Sequence, residues 1–156
     1  MTNSFTSAAS AHPSGRTLHV ALWIVQVILA VMFGLAGVMK AAMPLDALAQ
    51  SLPWVADVPG ALVRFIGFSE AAGALGLLVP SLARVRPWLT PLAGLGLSIV
   101  MILATAFHLQ RGEVSNSALT ASLAGLAAFV AWGRLRWAPI EPRAPHSRSQ
   151  GLPTHP

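Results

Sequence analysis

Four long apolar runs dominate the chain and set its expected elements. The first, Thr17 to Met39, carries no formal charge over 23 residues and closes at Lys40. The second, Ala61 to Val79, is broken only by Arg64 and Glu70 and ends at Pro80. The third, Pro87 to Phe107, is uncharged and opens on Pro87 and Trp88, as a helix start allows. The fourth, Val114 to Gly133, is also uncharged and stops at Arg134 and Arg136. A helix rises 1.5 Å per residue, so a hydrocarbon core of about 30 Å needs about 20 residues. The runs therefore predict four transmembrane helices, at about 17–42, 61–79, 87–109 and 114–133. The first run exceeds the roughly 7–15 apolar residues of a cleaved signal, which predicts a retained span.

The segments between and around the runs read differently. Residues 1–16 are rich in Ser, Thr and Ala without periodicity, and residues 138–156 hold five prolines, so both are expected to be disordered tails. Between the first two runs, Leu45, Leu48, Ala49 and Leu52 recur at helical spacing after Pro44 and before Pro53. That pattern predicts a short helix lying in the membrane interface, either as a lid over the bundle or as a plain connector.

Composition narrows the class. Of 156 residues, 54% are apolar and only 10% are Asp, Glu, Lys or Arg, where a soluble domain carries about 25% charged residues. Mean hydropathy is +0.65. These values exclude a soluble enzyme and a disordered protein. The net charge of +5 comes from basic residues scattered over loops and a tail. They make no basic face, so no nucleic-acid partner is expected. Their placement instead predicts topology. With a cytoplasmic N-terminus, Arg16, Arg84, Arg86, Arg134, Arg136, Arg143 and Arg148 fall on that side, against Lys40, Arg64 and Arg111 on the other. This is the positive-inside bias. Trp23, Trp88, Trp132 and Trp137 fall near the same interface. The expected fold is all-α: an integral, multi-pass membrane four-helix bundle with both termini cytoplasmic.

Small residues at four-residue spacing allow close helix approach in lipid. Here they are Ala30/Gly34, Ser69/Gly73, Ala72/Gly76, Gly94/Ser98 and Ala121/Gly125. They predict a packed bundle and say nothing of a ligand. Glu70 is more informative. It lies about nine residues into the second run, roughly 13 Å deep at 1.5 Å per residue. A bare carboxylate there costs roughly 2.5 kcal/mol or more on insertion scales. It must be protonated, paired with a cation, or turned to a hydrated cavity. Lys40, Arg64 and His108 share its half of the membrane, and Asn116 and Thr120 share one face at the start of the fourth span. A Glu70–His108 pair, fixed by Lys40 and Asn116, would hold or relay a proton or bind a polar head group. Arg64 and Thr120 are secondary candidates. The competing reading is that these groups only cross-link helices, with Lys40 and Arg64 reaching out to the surface. Arg111 and Glu113 read as a solvated turn.

Several chemistries are excluded. Without cysteine the chain supplies no disulfide, thiolate nucleophile, Cys-ligated zinc or iron–sulfur cluster. Without tyrosine there is no tyrosyl chemistry. His19 and His108 lie at opposite faces, so no paired-His haem site forms, and no phosphate loop or HExxH metal motif is present. No metal site is expected, and any redox centre belongs to a partner or a bound small molecule.

The segments Phe33-Gly34-Leu35-Ala36-Gly37-Val38-Met39-Lys40, Gly67-Phe68-Ser69-Glu70-Ala71-Ala72-Gly73-Ala74-Leu75-Gly76-Leu77-Leu78-Val79-Pro80, His108-Leu109-Gln110-Arg111-Gly112-Glu113 with Asn116, and Trp132-Gly133-Arg134 together resemble the DoxX-like family of small bacterial membrane proteins. The resemblance spans about residues 18–137. It implies a four-helix inner-membrane protein, an association with membrane redox processes, and motif positions at Lys40, Glu70, His108 and Asn116. Ala71 departs from the bulkier apolar residue common after the glutamate. The resemblance supplies no catalytic mechanism. The leading expectation is an accessory or quinone-interacting redox subunit that works with partner proteins or as a homo-oligomer. The alternatives are a proton-coupled transporter of small hydrophobic solutes and a structural assembly factor without a ligand.

Overall fold

A computed structural model describes residues 13–141; most of the two tails expected to be disordered lies outside them. The described chain is all-helical. Its elements are α1 (Pro13–Ala42), α2 (Leu45–Ser51), a 3-10 turn (Pro53–Asp57), α3 (Gly60–Ala83), α4 (Leu89–Gln110) and α5 (Val114–Arg136). Four of them, α1, α3, α4 and α5, are long and apolar enough to cross a membrane. The short α2 occupies the position where helical spacing was read between Pro44 and Pro53. Up-and-down connection brings the start of α1, the α3–α4 turn and the end of α5 to one end of the bundle, here the terminal end. The α2 segment and the α4–α5 turn close the opposite, loop end.

Helix α3 runs three residues past Pro80, where the apolar run was expected to stop. Proline removes one N–H and leaves the carbonyl four residues earlier without its helical donor. The helix nevertheless continues to Ala83 and ends at Arg84, which is left-handed (φ 54°).

The bundle turns apolar side chains outward and buries polar ones on either side of an apolar core. Leu35, Phe65, Phe68, Leu75, Leu82, Ile102 and Leu103 point away from the protein, whereas Gln26, Glu70, Ser81, Thr90, Ser98, His108, Ser117 and Arg134 are buried. This fits a lipid solvent, in which apolar side chains gain nothing by leaving the tails. Close packing and interhelical hydrogen bonds hold the helices together instead. A central apolar layer of Leu29, Phe33, Leu77, Leu97, Met101 and Val130 separates two polar regions.

Close approach is concentrated at glycine. A Cβ on Gly37 would lie 2.6 Å from the Ala71 nitrogen and 2.7 Å from the Gly67 carbonyl oxygen. A Cβ on Gly67 would meet the Ala41 nitrogen at 2.7 Å. Thus α1 and α3 cross backbone to backbone at a Gly37/Gly67 contact, which a search for small residues within one helix passes over. Of the five small-residue pairs, four sit at interfaces: Gly34 faces Ala74, Gly73 faces Leu97, Gly76 faces Ala93, and Gly94 faces the α5 backbone. The fifth does not, because Gly125 has nothing near it and turns outward.

Candidate functional site

The polar side chains of the loop end form two neighbouring clusters. In the first, Lys40 Nζ donates to both oxygens of Glu70, at 2.8 and 2.6 Å. The Glu70 side chain is 2% exposed and that of Lys40 12%. Helix geometry explains the meeting. Every Cα–Cβ bond leans toward the N-terminus of its own helix. Lys40, in the last turn of α1, therefore leans inward, while Glu70, in the first half of the antiparallel α3, leans toward the loop end. Both partners lie three residues beyond the glycines of the helix crossing, in Gly37-x-x-Lys40 and Gly67-x-x-Glu70, so the close approach sets the bridge. Arg64 Nη1 donates to the Lys40 backbone carbonyl at 2.6 Å, which caps the end of α1. Lys40 and Arg64 thus each bond to the neighbouring helix.

The second cluster is organised by Glu113. Its Oε2 accepts from His108 Nδ1 at 2.6 Å and from Asn116 Nδ2 at 3.0 Å, and its Oε1 accepts from Arg111 Nε at 2.6 Å. These donors hold its carboxyl down at about pH 2, Asn116 contributing most, then Arg111 and His108. Arg111 also pairs with Asp57 at 2.8 Å. Trp54 packs edge-on against Phe107 and His108. The turn is solvated, as read, and also ties the segment after α2 to the α4–α5 turn. Thr105 Oγ1 donates to Thr120 Oγ1 at 2.9 Å, stitching α4 to α5 just below it.

The expected Glu70–His108 pair does not form. His108 sits at the shallow end of α4, where a carboxylate five residues along the same turn reaches it first. Glu70 is deeper and is taken by Lys40. Among the candidates, Lys40, Glu70 and Arg64 come together, and His108 and Asn116 come together around Glu113. Thr120 belongs to the α4–α5 seam.

A third cluster, at the terminal end, was not anticipated. Gln26 donates to the Leu77 carbonyl and, at 3.0 Å, to Ser81 Oγ; Ser81 and Thr90 share a hydrogen bond of 2.8 Å. Arg134 Nε donates to Gln26 Oε1 at 3.0 Å. All four spans contribute a side chain. The signal for it in the sequence is Gln26, an uncharged amide midway along the first apolar run.

A helical membrane bundle with buried polar clusters and a buried Lys–Glu pair is the class these features define. A family profile described as the DoxX-like family matches residues 24–130, and the chain belongs to that family. No curated protein and no solved structure gives a match.

Proposed function

We propose that this DoxX-like chain is an accessory subunit of a membrane redox process, holding the polar head of a lipid-soluble small molecule of the quinone class near Lys40 and Glu70. A partner protein supplies the redox centre. The observation carrying this reading is the Lys40–Glu70 pair within the spans. Ionisable groups at that depth serve ligands or protons by default.

The residues fit a carbonyl head group. An ammonium has three donors and a guanidinium five. Lys40 directs two bonds at Glu70, and Arg64 gives one to the Lys40 carbonyl. Donors remain on both for a ligand oxygen, and Glu70 is placed to exchange a proton with a group bound there. The redox setting rests on the family resemblance. The arginine-rich terminal end supports a cytoplasmic orientation for both termini in a bacterial inner membrane.

The test is titration of the reconstituted protein with a short-tailed quinone, in wild type and Glu70→Gln. The expected result is at least tenfold weaker binding in the variant. Quinone binding, partner association and redox phenotype all intact in Glu70→Gln would overturn the assignment. The same pair also supports proton-coupled transport of small hydrophobic solutes. In proteoliposomes, substrate-dependent proton flux abolished by Glu70→Gln would favour that reading over the first.

A further inference from the structure

The cation at the terminal end has a different environment from the pair at the loop end. Arg134 is 3% exposed. Its Nε donates to Gln26, and its Nη1 lies 3.4 Å from both the Ala138 carbonyl oxygen and His19 Nδ1. Its Nη2 is buried without a hydrogen-bond partner. The guanidinium also stacks over Trp23, 5.2 Å from the ring centre. None of these partners is a carboxylate. Among the described residues, none of the ion pairs involves Arg134.

The donor and acceptor count does not balance. Trp23 Nε1 donates to His19 Nε2 at 3.1 Å, and an indole N–H can only donate. A neutral imidazole has one N–H and one bare nitrogen. If Nε2 is bare and accepts from Trp23, Nδ1 carries its hydrogen and faces the Arg134 Nη1 donors. If Nδ1 is bare instead, the conflict moves to Trp23. In either tautomer two donors confront each other, beside a further buried guanidinium nitrogen without an acceptor. A group bearing several acceptor oxygens and negative charge resolves the conflict and neutralises the cation.

The position selects the kind of anion. Arg134 is two residues from the end of its span and His19 three residues from the start of its own, within about 5 Å of the boundary at 1.5 Å per residue. Exposed Arg16, Arg84, Arg86 and Arg136 crowd the same end, with Glu141 as the one carboxylate among the described residues there. This is headgroup depth. Arginine matches phosphate with planar, paired donors.

We propose that Arg134, His19 and Trp23 form a phosphate-binding site at the terminal end of the bundle, taking the headgroup phosphate of an anionic phospholipid or a free phosphate. The site is separate from Lys40 and Glu70 and does not depend on their role.

The test uses the full chain purified in a zwitterionic detergent. It is titrated separately with short-chain phosphatidylglycerol, short-chain phosphatidylcholine and inorganic phosphate, following the thermal unfolding midpoint and Trp fluorescence. Phosphatidylglycerol is expected to stabilise the wild type more than phosphatidylcholine does. Arg134→Gln should weaken that response at least tenfold, while Arg136→Gln, a control on an exposed arginine, should leave it within twofold. An equal Arg134-dependent response to inorganic phosphate assigns the site to free phosphate. If Arg134→Gln does not fold, His19→Phe removes one exposed donor and should weaken binding about threefold. No response to either anion overturns the site. So does a response reduced equally by Arg134→Gln and Arg136→Gln, or one untouched by His19→Phe.

Discussion

Lys40 and Arg134 hold matching positions in different helices. Each lies in the last turn of a span, where a cation suits the helix dipole, and each leans inward along its own helix to reach a buried polar partner. There the likeness ends. Lys40 meets a carboxylate, so its charge is cancelled inside the protein. Arg134 meets an amide, so its charge is not. One end of the bundle is electrostatically closed, the other open. The same cation at the same helical position becomes part of an ion pair or a fixed charge according to one side chain on a neighbouring helix.

Breaking the closed end should have the largest effect. Lys40→Met strands a buried carboxylate and is expected to cost about 3–5 kcal/mol, the usual penalty for removing one partner of a buried pair. Lys40→Met with Glu70→Leu should recover most of that loss. Arg134→Met removes a charge that had no counter-charge, leaving mainly the Gln26 carbonyl without its donor, at about 1–3 kcal/mol. Unfolding in mixed micelles across this set measures the asymmetry. Equal losses for Lys40→Met and Arg134→Met would erase the distinction between the two ends.

Next in size is the helix crossing that sets the Lys40–Glu70 bridge. Gly37→Ala drives a Cβ into the α3 backbone and should destabilise by about 1–3 kcal/mol, as overpacking does. Gly125→Ala, in open space, should change stability in the opposite direction, by up to about 1 kcal/mol from helix propensity. The pair of variants reports whether close approach or small size alone matters.

The smallest effect concerns acid. The Glu113 carboxyl lies at about pH 2 against an ordinary value of 4.5. A carboxyl held low contributes stability that is complete above about 4.5 and is lost as pH falls toward about 2. Trp54, which packs beside His108, should report this loosening in its fluorescence between those values. Glu113→Gln should flatten the profile while leaving the terminal end unchanged.

The fold was legible because lipid imposes a length on each span, and uncharged runs reveal it. The loop-end candidates were legible as members but not as pairs. Depth along separate helices does not say which way a side chain leans, so Glu70 and His108 look compatible until the Gly37/Gly67 crossing delivers Lys40. Glu113 was hidden because acidic residues beside a glycine usually belong to solvent, and only the return of Trp54 and Asp57 makes that turn a fastener. Arg134 reads in the sequence as a topology marker beyond an apolar run, whereas α5 continues through it and buries it. Its partner there is Gln26, which carries no formal charge.

The bond between Gln26 and Arg134 joins residues 108 positions apart. At translation rates of roughly 5–20 residues per second, the amide waits roughly 5–20 s for its guanidinium partner. During that interval Gln26 Oε1 lacks the donor that the fourth span supplies. Late synthesis of α5 therefore makes the Gln26–Arg134 bond a completion step, closing the polar cluster only after the last helix has arrived.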